Sequence, residues 1–361
     1  MNERACDACM ARSWLFGHLA GHLDKARSRI EQVLALEEDA LIVAIGGRET
    51  ARLEREVETV DLDAVRSRVL AAGLDSVCGC DPAYPPRLRA LDAPPAVLYV
   101  AGGLERVVDL LFEEQPVAIV GSRRATAYGL DVARSLGRGL AVAGVTVVSG
   151  MAHGIDSAAH AGALDAGMPT VAVLPGPADR PYPAGKRGLH RRIVAQGAAV
   201  SEIPPGTSVW RWMFPARNRI IAALAAMTVV VEAGERSGSL VTARLARGIG
   251  RPVGAVPGRV TTPQAKGSTA LLASGLAQAV RGPQDVLDQL FGSGVRQVVD
   301  PRREPPAELR PLLEAIAEGH ETGAALARAG FAPEQGLAAL AALELEGFVH
   351  RGAGGRFRVA P

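Results

Sequence analysis

Short apolar runs rich in β-branched residues recur through the middle of the chain, separated by stretches with helical spacing. The runs are Val117–Val120, Val145–Val148, Thr170–Leu174, Ala198–Ser201, Thr228–Val231, Val253–Val256 and Ala277–Val280. Strands that are apolar throughout, rather than at alternate positions, belong to a sheet covered on both faces, and helical spacers of ~10–15 residues predict parallel crossovers. Between the first two runs Tyr128, Val132, Leu136 and Leu140 recur every four residues and are expected to form the buried face of a helix. Gly144 follows as its left-handed stop, and Gly167 and Gly197 hold equivalent places after later helices. The pattern predicts an α/β fold built on a doubly wound parallel sheet.

The flanks read differently. Residues 13–95 pattern as a mostly helical block, with candidate helices at Trp14–Leu36 and Leu53–Ala72, and a Pro-rich connector from Tyr84 to Pro95 leads to a short strand at Val97–Val100. Residues 291–307 form a linker rich in charge and proline. From residue 308 onward the chain reads as three helices and a strand pair, around Phe348–His350 and Arg356–Val359, with turns near Gly330 and at Gly352–Gly355. That order fits a small winged-helix module.

Charge separates these segments. The whole chain is nearly neutral at +2, yet residues 1–115 hold 13 Lys and Arg against 20 Asp and Glu, whereas residues 116–290 hold 19 against 9, a net of +10. Residues 301–361 hold 7 against 8. A cationic body between an acidic block and a neutral tail points to a polyanionic partner for the body. The tail, with Glu334, Glu344 and Glu346 around its expected recognition helix, suits protein contact better than duplex DNA. No stretch approaches ~20 uninterrupted apolar residues, and the start lacks a basic-then-apolar signal region, so a soluble, cytoplasmic protein with no membrane partner is expected.

Three turns carry groups suited to phosphate. Gly121-Ser122-Arg123-Arg124 follows the first run: glycine permits a tight turn with outward N–H groups, serine adds a hydroxyl, and an arginine can fork onto a phosphate. Ser149-Gly150 follows the second run, and Gly154-Ile155-Asp156 opens the next helix, where Asp156 and His160 are expected to have structural roles. The third signature pairs Arg217-Asn218-Arg219 with Ser237-Gly238-Ser239 and Thr242. Arg217 and Arg219 diverge by about 200° on a helix, so one can face the phosphate edge while the other pairs internally. Each turn alone is also an ordinary helix cap with solvated arginines; three at strand ends of one sheet point to an anion site.

The chain contains no G-x-x-x-x-G-K-[ST] loop, no G-x-G-x-x-G spacing and no converging nucleophile, base and acid, so no catalytic residue and no cofactor is expected. Cys6 and Cys9 (C-x-x-C) with Cys78 and Cys80 (C-x-C) can make a tetrahedral zinc site if brought together; reduced cytosolic thiols are the plainer reading, and no metal is assigned.

The order G-S-R, S-G-x-A-x-G-I-D-x-x-A-H, Y-P, S-E, F-P-x-R-N-R-I-I-A, S-G-S-L-x-T-A, P-G, running from about Val117 to Val280, resembles the DNA-processing protein A (DprA/Smf) family. The resemblance implies an extended Rossmann-like domain over residues 96–290, a helical sterile-alpha-motif-like domain over 1–95 and a winged helix over 308–361. It implies binding of single-stranded DNA, homodimerisation, and loading of the RecA recombinase onto incoming strands in natural transformation and homologous recombination. The expected DNA-binding residues are Gly121, Ser122, Arg123, Arg124, Ser149, Gly150, Gly154, Lys186, Arg187, Arg217, Asn218, Arg219, Ser237, Gly238, Ser239, Thr242, Lys266 and Gly267. Two departures stand out: Lys186 and Arg187 follow Tyr182-Pro183 where family members often carry Asn, and Gly267-Ser268-Thr269 replaces G-[ST]-N.

Two other functions fit the residues less well. Related Rossmann-like enzymes hydrolyse nucleoside monophosphates, but their P-G-G-x-G-T-x-x-E string is absent; Pro175-Gly176-Pro177 and Glu232 are the nearest counterparts. A transcriptional regulator acting through the tail would need a basic surface there, which the tail lacks.

Overall fold

The structure, a computed structural model, describes residues 2–112, 115–297, 305–345, 348–352 and 355–359. These divide into one unit over Met1–Val299 and a second over Asp300–Pro361.

Ten strands of the first unit form a single sheet among the described residues. They are β1 (Glu3–Arg4), β2 (Asp75–Cys78), β3 (Val97–Ala101), β4 (Val117–Val120), β5 (Val147–Ser149), β6 (Thr170–Val173), β7 (Ala198–Ser201), β8 (Met227–Val230), β9 (Val253–Ala255) and β10 (Gln278–Ala279). Their order across the sheet is β1-β2-β3-β7-β6-β5-β4-β8-β9-β10. From β4 the chain winds outward through β5, β6 and β7, then returns to lay β8 on the other side of β4. Pairing is parallel except that β3 runs against both β2 and β7. The apolar runs thus form the expected doubly wound sheet, and its far edge is extended by two strands, β2 from within the block read as helical and β1 from the residues before it.

Both sheet faces are buried, as strands apolar throughout require. Along β4, Ala118 and Val120 join one core cluster and Val117 and Ile119 another. The helix Ala127–Val142 covers the second face, but its buried stripe is Gly129, Ala133, Leu136 and Leu140. Tyr128, expected on that stripe, is 49% exposed and donates its hydroxyl to the carbonyl of Pro257 at 3.1 Å. The stripe turns because small residues permit closer packing: Gly137 lies against the backbone of Ala159 in the helix Ile155–Asp165. Gly144 and Gly167 adopt φ of 74°, the left-handed stops expected of them, whereas Gly197, expected in an equivalent place, has φ −128°.

The span Trp14–Leu36 is broken into short helices, and the buried residues from Leu15 to Leu53 pack on the body in one cluster with Trp212. That indole is fully buried and donates to the carbonyl of Ala20 at 2.9 Å, while the backbone N–H of Trp212 donates to Asp24 at 3.1 Å. The helix Met213–Leu224, which carries Arg217 and Arg219, begins at the next residue.

In the second unit three helices, Arg310–Ala317, Gly323–Arg328 and Pro333–Leu345, precede an antiparallel pair, β11 (Val349–Arg351) and β12 (Phe357–Val359). The element order is the one read from sequence, with a separate core of Leu312, Ile316, Leu326, Leu340, Leu343 and Phe357. Residues 298–304 of the expected linker, Glu346, and part of the Gly352–Gly355 turn lie outside the described residues.

Candidate nucleic-acid interface

The return of the chain from β7 to β8 creates a switch in strand order between β4 and β8. Strand-end turns diverge at such a point and leave a crevice at the carboxyl edge of the sheet. A cleft of about 530 Å³ occupies that place. Gly121–Arg124 enter it from the end of β4, Ala152 and Asp156 from beyond β5, and Gly234, Arg236, Ser237, Gly238, Ser239 and Thr242 from beyond β8. Phe214, Arg217 and Asn218 enter from the helix before β8. All three sequence signatures therefore meet in one cavity.

The walls are preorganised by backbone contacts. The Ser122 N–H donates to the carbonyl of Glu232 at 2.7 Å, and its own carbonyl accepts from Ile155 N–H at 3.2 Å. A Cβ at Gly121 would come within 2.6 Å of the Ile155 side chain, and Gly154, at φ 78°, lies against the Ser122 carbonyl. The glycines therefore let the β4 and β5 turns touch backbone to backbone. Glu232, 2% exposed, accepts from the N–H of Thr126 at 2.9 Å and its hydroxyl at 2.5 Å. It thereby fixes the start of the helix Ala127–Val142, whose N-cap is Thr126.

On the β8 side Ser237 caps the helix Gly238–Gly248 and lies 2.7 Å from the Ser239 hydroxyl. Asn218 connects the two halves of the third signature, accepting from Arg217 Nε at 3.2 Å and donating to the Gly238 carbonyl at 3.4 Å. Two helix N-termini, at residues 155 and 238, open onto the cleft, and their aligned N–H groups favour an anion, whereas the one at residue 127 is taken by the Glu232 carboxylate.

Charge has the same sign. Arg123, Arg124, Arg217 and Arg236 line the cleft against the single carboxylate of Asp156. Arg217 is 5% exposed and donates from Nη1 to the carbonyls of Gly150 and Val173, both at 2.7 Å. Burial pulls its pKa down to about 10, partly offset by Asp156. Burial likewise pushes the Asp156 carboxyl up, with Arg217 acting the other way. Arg123 lies over the Phe214 ring at 5.1 Å, and Tyr182 meets the same ring edge-on at 5.3 Å. Arg236 and Phe214 were not among the expected site residues; Arg236 lay in plain sight one residue before the Ser237 cap.

Several expected site residues take other positions. Ser149 is buried and donates its hydroxyl to the Ile119 carbonyl at 2.6 Å, so it holds neighbouring strands together. Gly150 and Gly154 support the floor and wall without lining the cleft. Arg219, 4% exposed, is turned away from it: the guanidinium pairs with buried Glu202 and donates to the Ala93 carbonyl. Of the two arginines that diverge on this helix, Arg217 is the one facing the cleft. Lys186 and Arg187 lie outside the lining, four and five residues beyond Tyr182. Lys266 faces Glu235 at 3.9 Å, and Gly267 N–H donates to the Ala233 carbonyl at 2.7 Å, bracing the turn after β8 from behind.

Asp156, given a structural role from sequence, sits in the first turn of its helix, accepts from the Ala152 N–H at 3.4 Å and also lines the cleft. His160 is fully buried, with Nδ1 2.8 Å from the Thr170 hydroxyl, a structural role as expected.

Fold and cleft together define a Rossmann-like protein with a cationic anion-binding crevice at its topological switch point. The profile of the DNA recombination-mediator protein A family matches residues 75–291. A Mycobacterium tuberculosis relative bearing the DprA name is 43% identical over 272 residues, covering 72% of this chain and 68% of its own. The DNA processing protein DprA of Bacillus subtilis is 37% identical over 227 residues, covering 62% and 75%. Among solved structures, DNA processing protein A from Streptococcus pneumoniae superposes with a TM-score of 0.63 at 32% identity, covering 78% of this chain and 96% of that one. The Helicobacter pylori protein, whose structure concerns its single-stranded DNA binding mode, gives 0.54 at 30% identity, covering 60% and 95%. The chain belongs to the DNA recombination-mediator protein A family. Among its described residues no helix is long and apolar enough to cross a membrane.

Proposed function

We propose that this protein is a non-enzymatic, cytoplasmic single-stranded DNA binder that protects incoming strands and loads the RecA recombinase during natural transformation, acting as a homodimer. The observation that carries the DNA-binding part is the cleft at the switch point: four arginines and two helix N-termini, at residues 155 and 238, surround one carboxylate. Such a site grips phosphates, and counterion release supplies its affinity. The Helicobacter pylori relative supports the choice of single strands. Few aromatics line the cleft, so backbone contact outweighs base stacking and sequence preference is weak.

Under this reading residues 1–95 are a helical sterile-alpha-motif-like domain, 96–290 the DNA-binding body, 291–307 a linker and 308–361 a winged helix that contacts protein. Lys186, Arg187 and Lys266 would extend the phosphate track beyond the cleft. Hydrolysis of a nucleoside monophosphate is disfavoured, because the Glu232 carboxylate is engaged by Thr126 and closed to solvent.

The test is fluorescence anisotropy with labelled single-stranded and duplex oligonucleotides across a salt series. Preference for single strands with a steep salt slope is expected. Equal or absent binding would overturn the proposal.

A further inference from the structure

We propose that Cys6, Cys9, Cys78 and Cys80 form a structural tetrathiolate zinc site that fastens the start of the chain to the sheet edge. This proposal is independent of the DNA-binding one. The chain has four cysteines, and all four converge from two segments about seventy positions apart. All are free thiols. Their Sγ atoms lie within 4.8 Å of one another. Cys6 to Cys78 is 3.9 Å, Cys6 to Cys80 is 4.0 Å and Cys9 to Cys80 is 3.9 Å.

The spacing discriminates between ligands. A zinc–sulfur bond of about 2.3 Å sets the edge of a thiolate tetrahedron at about 3.8 Å. The observed separations match that edge and are far longer than the ~2.05 Å of a disulfide. A [4Fe–4S] cluster binds each thiolate to a different iron and a [2Fe–2S] cluster binds two thiolates to each of two irons, so either spreads the four sulfurs farther apart. Thiolate donors are also soft, which selects zinc over magnesium, calcium or manganese.

The local fold presents the four sulfurs as a built site. β1 pairs in parallel with β2, matching Glu3 to Ser76 and Arg4 to Val77, and so aligns the residues that follow each strand. Cys6 caps the helix Asp7–His18, placing Cys9 in its first turn, while Cys78 ends β2 and Cys80 lies in the next turn. The Cys6 backbone N–H points at Cys78 Sγ from 3.4 Å, the type of outer contact that orients a thiolate ligand. Arg89 closes over the same turn, donating to the carbonyls of Gly79 at 3.4 Å and Asp81 at 3.1 Å. β1 is only two residues long and exposed, so its own ladder is a weak anchor for the helices that follow. A metal bonded to both segments would supply the anchorage, since binding energy at such a site is also folding energy.

The full chain purified from zinc-supplemented medium is expected to carry one zinc per chain by elemental analysis. Cobalt exchanged into it should give the intense visible bands of a tetrahedral thiolate centre. Cys80→Ser, at an exposed turn position, should weaken zinc retention against a chelator by about a hundredfold or more and lower the melting temperature, while Ser274→Ala, a control serine far in sequence, changes neither. Chelation of the unmodified protein should reproduce the melting shift, and added zinc should reverse it. The proposal is overturned if the purified chain is metal-free and cobalt gives no thiolate spectrum, or if stoichiometric iron with a brown chromophore appears instead.

Discussion

The guanidinium of Arg217 occupies the space that a side chain on residue 150 would need. A Cβ built at Gly150 falls well inside contact distance of the guanidinium, whose Nη1 donates to the carbonyl of that same glycine. The glycine at the end of β5 and the arginine at the cleft floor are therefore one device. Gly150→Ala should push Arg217 out of place, destabilise the fold by about 1–3 kcal/mol through overpacking, and weaken single-strand affinity. Denaturant titration and anisotropy on the same preparation measure both effects; unchanged affinity would show that Arg217 does not serve the cleft.

Arg123 behaves differently because it is exposed and rests on the Phe214 face. Arg123→Ala should leave the melting temperature unaltered, weaken DNA binding by about 1–3 kcal/mol and reduce the salt slope by about one. Parent values for both affinity and slope would remove this arginine from the interface.

Arg219 should reverse that pattern. Its charge is buried against Glu202, so Arg219→Ala strands a carboxylate in the interior and should cost about 3–5 kcal/mol of stability. At a temperature where the variant remains folded, its DNA affinity should stay within twofold of the parent. A large loss of affinity in well-folded protein would place Arg219 on the DNA after all.

Acid should expose His160. Burial holds its pKa down to about 3, against an ordinary value of 6.5. The unfolded chain therefore binds this proton where the folded chain does not, so the His160 contribution is intact above about pH 6.5 and is lost as pH falls toward 3. Asp156, raised by burial, works in the opposite direction: its contribution declines as pH rises above its unfolded value of 3.8. Comparing stability against pH for the parent and His160→Gln isolates the histidine, because Asp156 is present in both. Parallel curves between pH 4 and 7 would refute the assignment.

Much of the cleft was legible in the sequence because its turns are local. Gly121-Ser122-Arg123 and Ser237-Gly238-Ser239 advertise donors at strand and helix ends, Arg217 and Asn218 add theirs from within the helix Met213–Leu224, and strand order brings them together. The sequence allows one of the two arginines to face the cleft while the other pairs internally, yet both stood among the expected DNA-binding residues; only the fold, by placing Glu202 opposite residue 219, separates their positions. Glu232 drew notice as a failed catalytic acid; its work of holding Thr126 depends on a contact across 106 positions. β1 escaped because two polar residues carry no periodic signal, and the reversal of β3 is a property of tertiary pairing that apolar runs do not encode. Tyr128 followed the expected spacing yet lies outside, displaced by glycines that draw two helices together.

The central pairing of β4 with β8 matches Val117 to Met227, 110 positions apart. During synthesis the first half of the anion site leaves the ribosome long before the second, and Ser237 to Thr242 arrive later still. A nascent or prematurely terminated chain thus carries much of the body's positive charge without the crevice that focuses it. The crevice is therefore complete only once about two thirds of the chain has been made.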